Sequence, residues 1–178
     1  QWHEKRYTLI FEEVLALCRK HPDYRWFLDT YITELEPVLR MSPLLLGELR
    51  TRIHAGQIGV CGGYTNLSPN VAGEETQIRD LVLGRRVFRE LFPDAELSVF
   101  ANTMDVAVGH PQIPQLLVAS GYRYLRFWRP HRALSDKGIP LEFHWRGLDG
   151  STVLASRGCY SGLDYRQELG LLRPLAVY

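Results

Sequence analysis

The spacing of apolar and polar residues divides the chain into amphipathic helices and short buried strands. In the helical segments, apolar residues recur three or four positions apart, which is the spacing of one helix face. Between them lie short apolar runs bounded by Gly, Pro or Asp, which are typical of strands. The predicted helices are Tyr7–Lys20, Ile32–Leu39, Ser42–Gly56, Glu74–Leu91 and Pro114–Gly121. The predicted strands are Arg25–Asp29, Ile58–Cys61, Leu97–Phe100 and Tyr124–Trp128.

Strand and helix alternate at short spacing up to Trp128, which favours parallel β-α-β units in a barrel or a doubly wound sheet. From Leu141 the pattern changes to two strand-like segments on either side of the turn Gly147–Gly150. Residues 141–156 are therefore expected to form a β-hairpin appended to the core. No internal repeat or low-complexity linker interrupts the chain. The sequence predicts a single α/β unit over residues 1–178.

Composition narrows the classes of protein without naming a function. The chain has 178 residues, 46% of them hydrophobic, and a formal net charge of +1, which suits one globular unit. The near-neutral charge gives no electrostatic reason to expect nucleic acid or a membrane surface as a partner. No apolar run approaches the ~20 residues that span a bilayer, and no signal-peptide pattern opens the sequence.

The three cysteines bear on the cellular compartment. Cys18, Cys61 and Cys159 are odd in number, far apart and without CxxC spacing. Such cysteines are typical of buried thiols in a reducing compartment rather than of a disulfide framework or a zinc knuckle. We therefore expect a cytoplasmic protein.

One acid stands at a position where α/β folds carry out chemistry. Asp105 follows the predicted strand Leu97–Phe100 and precedes the helix that begins at Pro114. Side chains at the carboxyl ends of parallel strands are well placed for binding and catalysis. A single Asp in a loop is, however, more often a turn residue or a helix cap. Its position alone does not assign it a catalytic role.

Six short motifs occur in a defined order. They are Gly56-Gln57-Ile58, Gly62-Gly63-Tyr64, Glu75 with Arg79 and Gly84, Asp105 with Pro111 and Pro114, Gly121 with Arg129, and Trp145-x-Gly-x-Asp-Gly150. Their order resembles the N-terminal catalytic domain of glycoside hydrolase family 38, the retaining α-mannosidases, over Tyr7–Tyr165. Two separations are matched: Pro114 lies nine residues after Asp105, and Arg129 lies 24 residues after it.

The resemblance implies a fold, an activity and a site. The fold would be a seven-stranded parallel β/α barrel, of which this chain is an incomplete part with the added hairpin. The complete protein would hydrolyse terminal α-mannosidic bonds by a zinc-assisted, retaining double displacement, with an α-mannoside as its partner. Asp105 would be both nucleophile and zinc ligand, and Arg129 would orient that nucleophile or bind the substrate. Tyr64 stands where many family members have Trp and would keep an aromatic wall for the sugar.

The chain departs from the family pattern in two ways. Val106-Ala107-Val108 follows Asp105 where family members usually have Phe-Gly, so the loop is expected to differ in shape. The family's His-x-Asp zinc motif is expected before Gln1, and its general acid and last zinc-binding His after Tyr178. Residues 1–178 alone are therefore expected to be inactive and to bind Zn²⁺ weakly or not at all, because one aspartate cannot make a four-ligand site.

Alternatives remain open. A metal-dependent polysaccharide deacetylase would need Asp-Asp and His-x-x-x-His motifs, and neither occurs here. An inactive scaffold or a sugar-binding module stays possible, as does a homo-oligomer. Three other polar residues have structural explanations: His110 lies in a loop, Glu75 complements the dipole of the helix it begins, and Asp149 is a turn residue in Gly-x-Asp-Gly.

Overall fold

Helices and strands alternate along residues 2–28, 31–65, 67–108 and 110–157, the part that this computed structural model describes, with backbone alone for residues 2–4 and 101–107. The helices are α1 (Trp2–Lys20), α2 (Ile32–Met41), α3 (Pro43–His54), α4 (Glu74–Leu91), α5 (Ile113–Ala119) and α6 (His131–Asp136). The strands are β1 (Trp26–Leu28), β2 (Ile58–Val60), β3 (Val99–Ala107), β4 (Tyr124–Arg129), β5 (Glu142–Arg146) and β6 (Thr152–Ser156).

The strands form two sheets that a single backbone bridge connects. β1 pairs with β2, β3 with β4, and β4 with β6, all in parallel, whereas β5 pairs with β6 antiparallel. Gly62 forms a parallel bridge with Phe100, and its N–H donates to the Val99 carbonyl oxygen at 2.9 Å. Across this bridge the strand order is β1-β2-β3-β4-β6-β5.

The ends of the helices follow from particular residues. Pro43 occupies the first turn of α3, where its missing N–H has no helical partner to lose. Gly56 and Gly121 follow α3 and α5 with φ of 70° and 81°, the left-handed conformation that glycine adopts without strain. Glu74 and Glu75 open α4, where carboxylates complement the positive end of the helix dipole.

The mixed α/β class that the sequence predicts is confirmed, with three differences. β3 runs to Ala107 instead of ending at Phe100, because β4 offers it a parallel partner as far as Arg129. The short helix α6 was not predicted, since it buries none of its side chains and so has no apolar face to detect. The hairpin of β5 and β6 is continuous with the sheet, because β6 pairs with β4.

The described residues do not show the seven-stranded parallel barrel. They contain six strands in a two-stranded and a four-stranded sheet, and one of the strands is antiparallel. Arg126 of β4 nevertheless reaches toward β1: its guanidinium carbon lies 5.9 Å from the centroid of the Phe27 ring. These two side chains approach each other across β2 and β3.

Buried apolar side chains from helices and strands form one core. Its largest fully buried members are aromatic: Phe11, Phe88, Phe92, Tyr122 and Phe127. Each such burial contributes about 1.5–3 kcal/mol to stability. Cys18 and Cys61 lie in the interior as buried thiols, as predicted, whereas Cys159 lies outside the described residues. Among the described helices, none combines the length and apolarity needed to cross a membrane.

Helix α4 packs directly on the backbone that follows β2. A Cβ added at Gly84 would lie 2.7 Å from the carbonyl carbon of Gly63 and 2.7 Å from the nitrogen of Tyr64. Real Cβ atoms do not approach backbone so closely, and neither neighbour is a flexible side-chain end that could turn away. The helix and this loop are therefore in contact because residue 84 has no side chain.

We predict that Gly84→Ala destabilises the protein by about 1–3 kcal/mol, as overpacking does. Gly47→Ala is the matched control, because Gly47 lies within α3 and a Cβ there would meet nothing within 4 Å. The free energy of unfolding of Gly47→Ala should rise by roughly 0.5–1 kcal/mol, because alanine has the higher helix propensity. Urea unfolding of both variants measures the difference, and equal shifts would contradict the contact.

Candidate functional site

The three residues proposed from the sequence lie at one edge of the sheet. Tyr64 follows β2, Asp105 lies near the end of β3, and Arg129 is the last residue of β4. Because these strands are parallel, their carboxyl ends share one edge. In α/β folds this edge is where ligands bind.

Asp105 lies in an irregular part of β3. Asn102 pairs with Phe127 and Ala107 pairs with Arg129, so β3 advances five residues while β4 advances two. Extra residues of this kind form a bulge, which bends a strand and re-aims its side chains, and bulges are common beside active sites. The backbone of Asp105 lies within this bulge rather than in a loop after the strand. Its side chain lies outside the described part of the structure.

The backbone brings Arg129 beside the same bulge. Arg129 pairs with Ala107, two residues beyond Asp105, and its carbonyl oxygen accepts a hydrogen bond from the Val108 N–H at 3.3 Å. The side chain of Arg129 is exposed to solvent. The backbone thus brings together the two residues that the family resemblance relates, and the catalytic roles of both stay predictions.

Tyr64 lies in a loop held against α2. Its carbonyl oxygen accepts from the Thr33 N–H at 3.0 Å, and its hydroxyl donates to Glu36 Oε2 at 3.3 Å. Glu36 also accepts from Arg40 Nε at 2.8 Å. Partial burial, and then the negative charge of Glu36, raise the pKa of the Tyr64 hydroxyl. The hydroxyl is engaged with α2, which leaves the ring as the part of Tyr64 that can contact a sugar.

Asp80 of α4 binds the loop that carries Tyr64, and it was not singled out from the sequence. Asp80 is 8% exposed, and its carboxylate accepts three hydrogen bonds from the loop after β2. Oδ2 accepts from the Tyr64 N–H at 3.2 Å, and Oδ1 accepts from the Thr65 N–H and hydroxyl, both at 2.7 Å. Burial raises the pKa of Asp80, and the hydrogen bonds from Thr65 and Tyr64 oppose that rise.

A sequence signal for Asp80 exists. The buried face of α4 follows helical spacing through Gln77, Leu81, Gly84 and Phe88, and Asp80 falls on the same face. An acid on the apolar face of a helix must find partners, since an unpaired buried carboxylate is costly. The pattern identifies such a residue but does not say which loop it binds.

Three other polar residues have local structural roles, as their positions predict. His110 Nδ1 accepts from the Gln112 N–H at 3.2 Å, just before α5. Asp149 accepts from the Ser151 N–H at 3.0 Å and from its hydroxyl at 2.7 Å, which lowers the pKa of the Asp149 carboxyl. Glu75 forms an exposed ion pair with Arg79 at 2.7 Å.

The described side chains do not by themselves form a zinc site. Among them, no group of three or more His, Cys, Asp or Glu residues has a metal-binding arrangement. A protein zinc site needs three or four such ligands. The statement does not extend to the side chain of Asp105.

The fold and the position of these residues define an α/β domain with its candidate site at the carboxyl ends of parallel strands. The sequence profile of the glycosyl hydrolases family 38 N-terminal domain matches residues 3–165, which is most of the chain. The chain therefore belongs to glycosyl hydrolase family 38. A comparison with curated proteins found no match.

Several solved structures share the fold of this chain. A glycosyl hydrolase family 38 protein from Enterococcus faecalis superposes with a TM-score of 0.69 at 16% identity, covering 98% of this chain and 20% of its own. An α-mannosidase from E. faecalis V583 superposes with a TM-score of 0.70 at 18% identity, covering 89% of this chain and 18% of its own. A 4-α-glucanotransferase from Thermococcus litoralis superposes with a TM-score of 0.68 at 17% identity, covering 94% of this chain and 27% of its own. At these identities the likeness concerns the fold, and the chain spans about a fifth to a quarter of these proteins.

We predict that the stability of the protein relative to Asp80→Asn falls as pH rises. Burial raises the folded-state pKa of Asp80 above its ordinary 3.8. When folding raises the pKa of an acid, the protonated acid stabilises the folded state at pH values below its pKa in the unfolded chain. This stabilisation disappears as pH rises through its pKa in the folded protein. Urea unfolding of both proteins from pH 3 to pH 7 gives the difference. A difference that is constant with pH, or that grows in favour of the wild type, would contradict the burial of this carboxyl.

Proposed function

We propose that the protein containing this chain hydrolyses terminal α-mannosidic bonds with retention of configuration. The observation that carries the proposal is the backbone register that sets the Asp105 bulge beside Arg129 at the carboxyl edge of the sheet. Membership of glycosyl hydrolase family 38 and the similarity in fold to an α-mannosidase support it. In this proposal the chain is part of a seven-stranded parallel barrel.

Asp105 is the nucleophile in this mechanism. Its carboxylate attacks the anomeric carbon and forms a glycosyl-enzyme, while a second carboxyl group protonates the departing oxygen. Water then attacks the same carbon, gives its proton to the second carboxylate and releases the sugar. Retention requires the two carboxyl groups to lie about 5–5.5 Å apart. We propose that the second group comes from outside residues 1–178.

Arg129 and Tyr64 bind and orient in the same mechanism. A guanidinium group beside the Asp105 carboxylate keeps it ionised and aligns it through charge-assisted hydrogen bonds. The Tyr64 ring offers an apolar face on which the less polar side of a sugar ring can pack. Both roles agree with the positions of these residues at the strand ends.

Zinc is part of the proposal as a bound cofactor. A carboxylate oxygen is a normal zinc ligand, so Asp105 would supply one ligand and residues outside this chain the others. The metal would supply positive charge that holds sugar hydroxyls. We also propose a cytoplasmic location, in keeping with the buried free thiols of Cys18 and Cys61.

We predict that Asp105→Asn in the full-length protein lowers kcat for an aryl α-mannoside by at least about a thousandfold, because the amide cannot form the glycosyl-enzyme. Zinc content, measured by mass spectrometry, should fall in the same variant. Asp94→Asn is the control, since Asp94 is exposed and precedes β3 at the opposite edge of the sheet. Undiminished hydrolysis by Asp105→Asn would show that Asp105 is not the nucleophile.

We predict that Arg129→Gln lowers kcat/KM by about ten- to a hundredfold, which corresponds to the loss of one or two charge-assisted hydrogen bonds. Arg129→Lys should recover only part of the loss, because an ammonium group does not reproduce the planar fork of a guanidinium. Arg132→Gln serves as the control, because Arg132 is an exposed residue of α6. Equal activity of wild type and Arg129→Gln would remove Arg129 from the site.

A further inference from the structure

We propose that Asp80 is a positioning residue of the sugar-binding site, which fixes the loop after β2 and through it the ring of Tyr64. This inference rests on the proposed function, in which Tyr64 forms a wall of that site. It adds a residue that touches no substrate itself. Asp80 acts from α4, beneath the loop Gly62–Thr65.

The geometry of the hydrogen bonds is the first support. The two carboxylate oxygens of Asp80 take up three donors from two consecutive residues, the N–H groups of Tyr64 and Thr65 and the Thr65 hydroxyl. Both backbone N–H groups belong to a loop after the strand, where no ladder partner satisfies them. Buried backbone donors need such partners, so Asp80 replaces the missing strand neighbour.

The loop is also held from its other sides. Gly63 has φ of 99°, a conformation that other residues rarely adopt, and its carbonyl oxygen accepts from the Ile32 N–H at 3.5 Å. The Tyr64 carbonyl oxygen accepts from the Thr33 N–H at 3.0 Å. Gly84 of α4 allows the helix to approach within contact of this backbone. Asp80 on one side and α2 on another thus both bind the backbone of this loop.

Asp80 contributes to stability, because the loop N–H groups would lose a buried acceptor without it. What an apolar residue cannot do is orient two consecutive N–H groups. A positioning role predicts an effect on substrate binding that depends on Tyr64.

The test uses steady-state kinetics of the full-length protein with an aryl α-mannoside. Asp80→Ala should raise KM, and the inhibition constant of free mannose, by about tenfold, the size of one or two lost hydrogen bonds. Asp80→Asn keeps one acceptor oxygen and should restore part of the affinity. KM does not depend on how much of the enzyme is folded, so a purely structural role would lower apparent kcat and leave KM unchanged.

A double-mutant cycle with Tyr64→Ala tests the route of the effect. If Asp80 acts through Tyr64, Asp80→Ala should change KM by less than twofold when Tyr64 is already Ala. An undiminished tenfold change in that background would overturn the proposal. So would an unchanged KM in the single variant.

Gln77→Ala is the matched control on the same face of α4. Gln77 is also buried, and its Nε2 donates to the carbonyl oxygens of Pro69 and Ala72 at 3.0 and 2.8 Å, so it holds a neighbouring part of the chain. This variant should lose stability with no change in KM. An equal rise in KM would show that any buried polar residue of α4 has the same effect, and would overturn the proposal.

Amide hydrogen exchange separates this inference from the proposed function. Tyr64 and Thr65 should exchange at least about tenfold faster in Asp80→Ala than in the wild type, because both N–H groups lose their acceptor. A wild type that hydrolyses no α-mannoside overturns the proposed function. Exchange then decides the inference by itself, and unchanged exchange at both residues overturns it.

Discussion

The contact between α4 and the loop after β2 is the constraint on which the candidate site depends. Asp80 supplies acceptors to Tyr64 and Thr65, and Gly84 removes the side chain that would push the helix away. The two features work together, since the hydrogen bonds are possible only at the distance that Gly84 allows. A buried carboxylate loses its hydration, and three donors offset that loss. Beyond Gly62, which still bridges to β3, the loop is held by α4 and α2.

The second constraint is the pairing of β3 with β4. Parallel ladders keep neighbouring carboxyl ends at one edge, which brings the end of β3 beside Arg129. Between Asn102 and Ala107 the regular ladder is interrupted, and the extra residues include Asp105. A regular strand would fix the direction of every side chain by alternation, whereas a bulge frees one residue from that rule. The candidate nucleophile lies where the strand departs from regularity.

Much of this fold could be predicted from the sequence because its helices and strands bury one face each. α4 is one example, since its apolar spacing and acidic first turn predict both ends, Glu74 and Leu91. The end of β3 could not be predicted, because Asn102 and Thr103 are polar and look like a strand end, and only the partner strand extends it. α6 buries nothing and leaves no periodic signal.

Some residues of the candidate site could likewise be predicted from the sequence, and others could not. Asp105 and Arg129 could be proposed because their separation matches that of the family motif, and the strand register supports their proximity. The role of Asp80 could not, because a hydrogen bond over 16 residues to a loop backbone leaves no pattern in spacing. Residues that contact substrate are easier to identify from motifs than residues that position them. Positioning residues depend on packing that is particular to each chain.

Two described carboxyl groups near the candidate site could be mistaken for the second acid of a retaining mechanism. Burial raises the pKa of Asp80, as would suit a general acid, but both of its oxygens already accept hydrogen bonds from Tyr64 and Thr65. Glu36 accepts hydrogen bonds from the Tyr64 hydroxyl and from Arg40 Nε, so it too is held by neighbours within this chain. A raised pKa therefore does not by itself identify a catalytic acid. The hydrogen bonds that Asp80 and Glu36 accept assign both residues to holding the loop and the Tyr64 side chain in place.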